Sequence, residues 1–196
     1  DERTMRIFEC GKVFEGWVLD TFNPKDIVST QETVEWPELN LIGSCDAVID
    51  DGGGKAHLIE FKTQNSNAFH WMTKRGGANE AHIEQVTMYY GKLREKYPDL
   101  SMSLCYISKD DLCVLQYAIP FKQEVYEEGI RKAKELKRCF DVGELPALYE
   151  AVTFDNLKKK WTVDWRCSYC PGHTFCTGDE EWEKKAQEEV KRRNQE

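Results

Sequence analysis

The chain has 196 residues, 40% of them apolar and 32% charged, with a net charge of -8 at pH 7. That is enough apolar side chain for one domain (1–196) with a substantial core. The negative balance excludes a protein that coats nucleic acid through its whole-surface field, so any such contact has to be local. No run approaches the roughly eighteen uncharged apolar residues of a membrane span, and the opening segment lacks a secretory layout, which predicts a soluble cytoplasmic protein with no membrane partner.

In chain order, Phe8, Val13, Phe14, Trp17 and Val18 recur at helical offsets and predict a first helix from Arg3 to Asp20, stopped by Asn23-Pro24. Ile27 to Trp36 alternates and reads as a strand. Leu39 to Asp50 and Ala56 to Thr63 are apolar runs joined by Asp51-Gly52-Gly53-Gly54, which can supply positive φ for a turn, and so predict a hairpin. Between Thr63 and Asn79 the sequence predicts a loop, in which Phe69, His70, Trp71, Lys74 and Arg75 mix aromatics with cations. Glu80 to Tyr97 is a helix ended by Pro98, Leu100 to Ile107 and Leu112 to Ile119 a second hairpin, and Phe121 to Phe140 a long amphipathic helix. An irregular stretch then runs through Trp165 and a cysteine cluster to a charged, surface-lying helix from Asp179 to Gln195. This order predicts a mixed α/β domain with one central sheet. The basic groups Lys74-Arg75, Arg131 to Arg138, and Lys158 to Lys160 with Arg166 are candidate DNA contacts, or else solvated faces.

On the second arm of the first hairpin, Glu60 and Lys62 are two residues apart, which in a strand puts them on one face. A turn centred near Gly53 sets Asp46 opposite Glu60. Two carboxylates and one ammonium then converge inside apolar strands, where charges must be paired or metal-bound. Such carboxylates are hard ligands for Mg²⁺ or Mn²⁺, an ion that polarises a phosphate and activates water.

These residues resemble the PD-(D/E)XK (restriction-endonuclease-like) nuclease superfamily, and within it the RecB-like exonucleases. Gly11-Lys12-Val13-Phe14-Glu15 resembles the G-x-x-x-E/H motif of that branch, Asp46 with Glu60-Phe61-Lys62 its catalytic core, and Gln85-Val86-Thr87-Met88-Tyr89 its Q-x-x-x-Y helix. The resemblance implies metal coordination by Asp46, Glu60, the main-chain carbonyl of Phe61 and Glu15. It gives Lys62 the task of assisting the attacking water, and Gln85 and Tyr89, four apart on one helix face, that of orienting the lysine or the DNA backbone. His82, one turn earlier, either faces the same site or is a partly exposed helix histidine. Glu15 stands where cluster-bearing relatives often carry histidine.

Eight cysteines in a cytoplasmic chain are not expected to form disulfides. Cys45, Cys105, Cys113 and Cys139 sit singly in apolar or amphipathic runs and read as core packing. Cys167, Cys170 and Cys176 form a C-x2-C-x5-C run that can wrap a soft metal centre. Structural zinc usually draws on two close pairs, whereas iron-sulfur clusters take a compact run plus a remote cysteine, for which Cys10 is the natural partner. Zinc, with His173, is the alternative. The arrangement resembles the iron-sulfur nucleases of AddB-type helicase-nucleases and of the CRISPR-adaptation "Cas four" family. That resemblance implies a 4Fe-4S cluster in a region formed by 1–19 and 141–178, beside a catalytic core at 20–140 and the charged helix at 179–196.

The resulting expectation is a metal-dependent DNA nuclease, an exonuclease on single-stranded DNA or ends, of CRISPR-associated or phage recombination type. The rival readings are a structure-specific or sequence-specific endonuclease, and a DNA-end-binding scaffold that cleaves nothing. No G-x-x-x-x-G-K loop is present, so a helicase, recombinase or integrase partner would be a separate polypeptide.

Overall fold

The computed structural model describes residues 2–146, 152–155, 158–164, 166–167 and 181–195, and the chain divides into two compact units, 1–137 and 138–196. The first unit opens with α1 (Glu2–Leu19), β1 (Ile27–Trp36), a single 3-10 turn (Pro37–Leu39), β2 (Leu41–Asp50) and β3 (Ala56–Gln64). It continues with α2 (Ser66–Arg75), α3 (Glu80–Leu93), β4 (Ser101–Ser108) and β5 (Val114–Ala118), after which α4 (Gln123–Val142) follows. The strands form one sheet in chain order. Neighbours are antiparallel except β3 and β4, which run parallel because α2 and α3 cross over between them.

The β2–β3 turn shows why the hairpin forms. Gly52 and Gly54 take φ of 87° and 77°, and the Asp50 side chain accepts hydrogen bonds from both of their amides while Asp51 accepts from Gly53. The pairing Ala47↔Ile59, Val48↔Leu58, Ile49↔His57 and Asp50↔Ala56 is symmetric about Gly53, the register that the turn chemistry predicts. One sheet face packs Val34, Val48, Leu58, Leu104 and Tyr106 against Val86, Tyr89 and Leu93 of α3 and Met72 of α2. The other packs Ala47, Ile59, Phe61 and Ile107 against Phe14 and Val18 of α1. Full burial of a Leu58 or Leu104 contributes about 1.5–3 kcal/mol each, so the central strands are held rigidly from both sides.

Four expectations need correction. The stretch between Thr63 and Asn79 is mostly helix, since Asn65 caps α2 by accepting from Ala68 N and Gly76 ends it in the left-handed region. The stretch expected to be irregular contains an antiparallel pair, β6 (Val152–Asp155) and β7 (Lys160–Val163). In the same unit, α5 (Trp182–Arg193) is not simply surface-lying, because Trp182 and Ala186 are buried in a small core with Val152, Trp161 and Val163. Of the four cysteines read as packing, Cys45, Cys105 and Cys139 are buried, whereas Cys113 is exposed at the β4–β5 turn. Among the described residues no helix is long and apolar enough to cross a membrane.

Candidate active site

The ladder between β2 and β3 ends at Ala47↔Ile59. Beyond it, side chains replace the main-chain pairing. Asp46 Oδ2 accepts the Phe61 amide proton at 2.7 Å, and Glu60 Oε2 accepts that of Asp46 at 3.4 Å. The strands therefore part around two carboxylates, each holding the backbone next to the other. Lys62 Nζ donates to Glu60 Oε1 at 2.7 Å, with side chains only 19% and 3% exposed.

The α1 helix closes the opposite side. A cleft of about 490 Å³ is lined by Met5, Phe8, Lys12 and Glu15 of α1 and by Asp46, Glu60, Phe61 and Lys62 of the sheet. Gly11 faces Thr63, where an added β carbon would lie 3.8 Å from the hydroxyl, so the helix runs close to β3. Glu15, Asp46, Glu60, Phe61 and Lys62 thus share one cleft, as the motifs imply.

Electrostatics in this cleft are unbalanced. Burial and the neighbouring Asp46 charge push the Glu60 carboxyl up to about 7. Burial raises Asp46, opposed by the Phe61 amide, Lys62 and Gln31. Burial and Asp46 raise Glu15. Glu15, Asp46 and Glu60 crowd together with Lys62 close by and the exposed Lys12 at the rim, and buried like charges favour protonation unless a cation joins them. Hard oxygen donors with excess negative charge fit a divalent ion of the Mg²⁺ or Mn²⁺ kind. Among the described residues no set of three or more His, Cys, Asp or Glu side chains is already gathered in a metal-holding geometry, since Lys62, the Phe61 amide and Gln31 hold the carboxylates instead.

Three further candidate residues, His82, Gln85 and Tyr89, come from α3. Gln85 donates its amide hydrogen to Tyr89 Oη at 3.1 Å, and Tyr89 is raised by burial and by the charges of Glu60 and Asp46. Tyr89 lies over Gly43 of β2, where an added β carbon would be 2.6 Å from the ring. His82 pairs through Nδ1 with the Tyr106 hydroxyl at 2.9 Å, and burial together with Lys62 depresses it to about 4. It is a neutral, half-buried histidine.

Gln31 is the residue that sequence reasoning overlooked. Its amide donates to Glu15 Oε1 at 2.5 Å and reaches Asp46 Oδ1 at 3.5 Å. The register Thr30↔Ala47 and Glu32↔Cys45 sets it across from Asp46; extending the strand pairing from β2 to β1 would have pointed to it.

The proposed cluster ligands are only partly visible. Cys10 is a partly buried free thiol on α1, Cys167 is partly buried in the second unit, and Cys170, Cys176 and His173 lie outside the described residues. Several of the predicted basic side chains are paired with carboxylates, Arg131 with Glu128, Lys132 with Glu84, Arg138 with Glu144, Lys158 with Asp155 and Arg166 with Asp164. On α2, Lys74 instead lies over the ring of Trp71 at 5.3 Å, and Trp71 is exposed.

The sequence profile of the family described as "PD-(D/E)XK nuclease superfamily" matches residues 3–177. No curated protein matches the sequence. Among solved structures, the crystal structure of SSO0001 is similar at a TM-score of 0.48 and 16% identity, over 85% of this chain and 68% of that one.

Proposed function

The chain belongs to the PD-(D/E)XK nuclease superfamily, and on that premise we propose that it is a Mg²⁺- or Mn²⁺-dependent deoxyribonuclease, an exonuclease on single-stranded DNA or DNA ends. The observation that carries this reading is the parting of β2 and β3 around Asp46 and Glu60 with Lys62 beside them. Glu15, Asp46, Glu60 and the Phe61 carbonyl would hold the ion. When bound there, it would polarise the scissile phosphate and lower the pKa of a coordinated water. Lys62, whose ammonium lies 2.7 Å from Glu60 in the same cleft, would orient the attacking water and offset negative charge developing on the phosphate. Tyr89, held by Gln85 and seated on Gly43, would steady β2 beside the carboxylates. The preference for unpaired DNA rests on exposed aromatics beside cations, Trp71 with Lys74 on α2 and Phe8 with Lys12 on the cleft wall, which suit stacking of splayed bases.

The test is Mn²⁺-dependent digestion of end-labelled single-stranded DNA by the wild type, Lys62→Ala and Asp46→Ala. Both variants should lose cutting by several orders of magnitude. Retained cutting by folded variants, or equal cutting without a divalent ion, removes the assignment. Circular single-stranded DNA separates the two nuclease readings, because an exonuclease leaves it intact.

The finer subfamily reading is a RecB-like nuclease with a 4Fe-4S cluster on Cys10, Cys167, Cys170 and Cys176. It rests on the C-x2-C-x5-C run together with Cys10, five residues before Glu15 on α1. Anaerobically purified protein should be brown and contain about four iron atoms per chain. Colourless protein with one zinc would overturn it.

A further inference from the structure

We propose that Gln31 is a positioning residue that sets the carboxylates of Glu15 and Asp46 for the divalent ion; this rests on the nuclease reading above and adds a residue that no motif contains. Gln31 stands in mid-strand yet takes φ of 50°, a left-handed conformation that glycine and asparagine tolerate far better than glutamine. Ile27 and Ser29 are the more buried residues before it and Glu32, Val34 and Trp36 those after it, so the burial parity of β1 changes across Thr30 and Gln31, while the pairing with β2 continues through them and its register shift lies between Ile27 and Ser29.

The side chain explains why the backbone is held so. Carboxylate oxygens only accept hydrogen bonds, so the Gln31 amide nitrogen must face them. It donates to Glu15 Oε1 at 2.5 Å and to Asp46 Oδ1 at 3.5 Å. Ser44 Oγ donates to Gln31 Oε1 at 3.1 Å, which fixes the other end of the amide. One amide thereby spans α1 and β2 and determines which oxygen of each carboxylate remains for an ion. Partners behind ligating carboxylates orient them and raise metal affinity. The neighbouring Glu32 anchors the backbone, accepting from Ser29 at 2.5 Å, Lys96 at 2.6 Å and Tyr97 at 3.0 Å. Strain at one residue persists where its surroundings over-determine it, and such residues cluster at functional sites.

The two contributions come apart in Gln31→Gly, which relieves the backbone and deletes the amide. Measured by calorimetric titration of the full chain with Mn²⁺, this variant should bind about 10–100-fold more weakly than wild type. Its metal-free melting temperature should equal or exceed that of wild type. Gln31→Asn, which tolerates the same φ but falls a methylene short, should keep the fold and also bind Mn²⁺ more weakly. Ser44→Ala should weaken binding to a lesser degree. Wild-type Mn²⁺ affinity in either folded Gln31 variant overturns the proposal. If Asp46→Ala abolishes binding while Gln31→Gly does not alter it, the metal site stands and only this inference fails. If wild type binds no Mn²⁺, the nuclease reading falls first and takes this one with it.

Discussion

Asp46 Oδ2 accepts the Phe61 amide proton at 2.7 Å, so a carboxylate completes the backbone pairing at the point where the β2–β3 ladder stops. The same group is therefore part of the sheet and part of the candidate metal site, and two substitutions should separate those roles. Asp46→Asn keeps an acceptor for Phe61 and removes a buried charge beside Glu60. Its fold should survive, with a melting temperature no lower than wild type in chelator, while Mn²⁺ binding and DNA cutting disappear. Asp46→Ala strands the Phe61 amide, which costs about 1–3 kcal/mol, and should melt lower. Thermal denaturation in chelator reads the difference. Equal melting of the two variants would show that the Phe61 bond carries no weight.

The opposed titrations of Glu60 and His82 give the protein a distinctive pH response. Glu60 is pushed from 4.5 to about 7 by burial and by Asp46, so the folded state binds its proton more tightly and this contribution to stability is lost as pH rises from about 4.5 to about 7. His82 is depressed from 6.5 to about 4 by burial and by Lys62, so the unfolded chain binds that proton more tightly and stability grows as pH rises from about 4 to about 6.5. Between about 4.5 and 6.5 the two slopes oppose each other. In metal-free urea denaturation across pH 4.5 to 8, His82→Asn should reveal a fall in stability with pH, and Glu60→Gln a steeper rise. Parallel profiles for all three proteins would refute these environments.

A divalent ion should reshape that response. Ion binding requires ionised carboxylates, so protons compete with it. Stabilisation by saturating Mn²⁺ should be larger at pH 8 than at pH 5.5, measured as the rise in melting temperature over chelator, and Glu60→Gln should reduce it at both. A rise independent of pH would place the ion away from Glu60.

On the cluster reading, Cys10 and Glu15 share α1 five residues apart, so a ligand bond at Cys10 steadies the helix that carries the carboxylate. Cys10→Ala and Cys176→Ala should lose the brown colour and most of the nuclease activity together, scored by iron content and DNA digestion on one preparation. A colourless, fully active variant would show that the cleft holds its shape without the cysteines.

The parts legible in the sequence were those written locally. The Asp51-Gly52-Gly53-Gly54 turn fixes the register about Gly53, and alternation of Leu58, Glu60 and Lys62 gives the face. The α2 helix was hidden because Met72 is its one buried residue, leaving no apolar stripe to read, although Asn65 and Gly76 carried its start and stop signals. Gln31 was hidden for a different reason. A positive φ is expected at glycine or asparagine, and the partners that hold glutamine there, Glu15, Ser44 and Asp46, come from two other elements. In the second unit, Trp161 and Val163 are paired with residues across a turn containing Lys159 at φ 52°; Asp155, which accepts the Lys158 amide, and Asn156 signal that turn, but each strand has only four residues, too short for an alternation to show.

Close approaches that require glycine are equally silent in a sequence. At Gly43 an added β carbon would lie 2.6 Å from Tyr89 Cε1 and 3.0 Å from its hydroxyl, and β2 on that side is held by the whole β1 ladder. The ring must yield, which breaks the bond from Gln85 and moves the hydroxyl that neighbours the Glu60 and Asp46 charges. Gly43→Ala should cost about 1–3 kcal/mol, near 2–4 °C of melting temperature per kcal/mol for a chain of this size, and should lower kcat more than it raises KM because it moves a side chain that neighbours the Glu60 and Asp46 charges. Adding Tyr89→Leu to Gly43→Ala removes the ring and should restore part of the lost stability without restoring kcat. A double variant as unstable as the sum of its two single variants would mean that the clash is absent and that Gly43 is needed only for its own backbone.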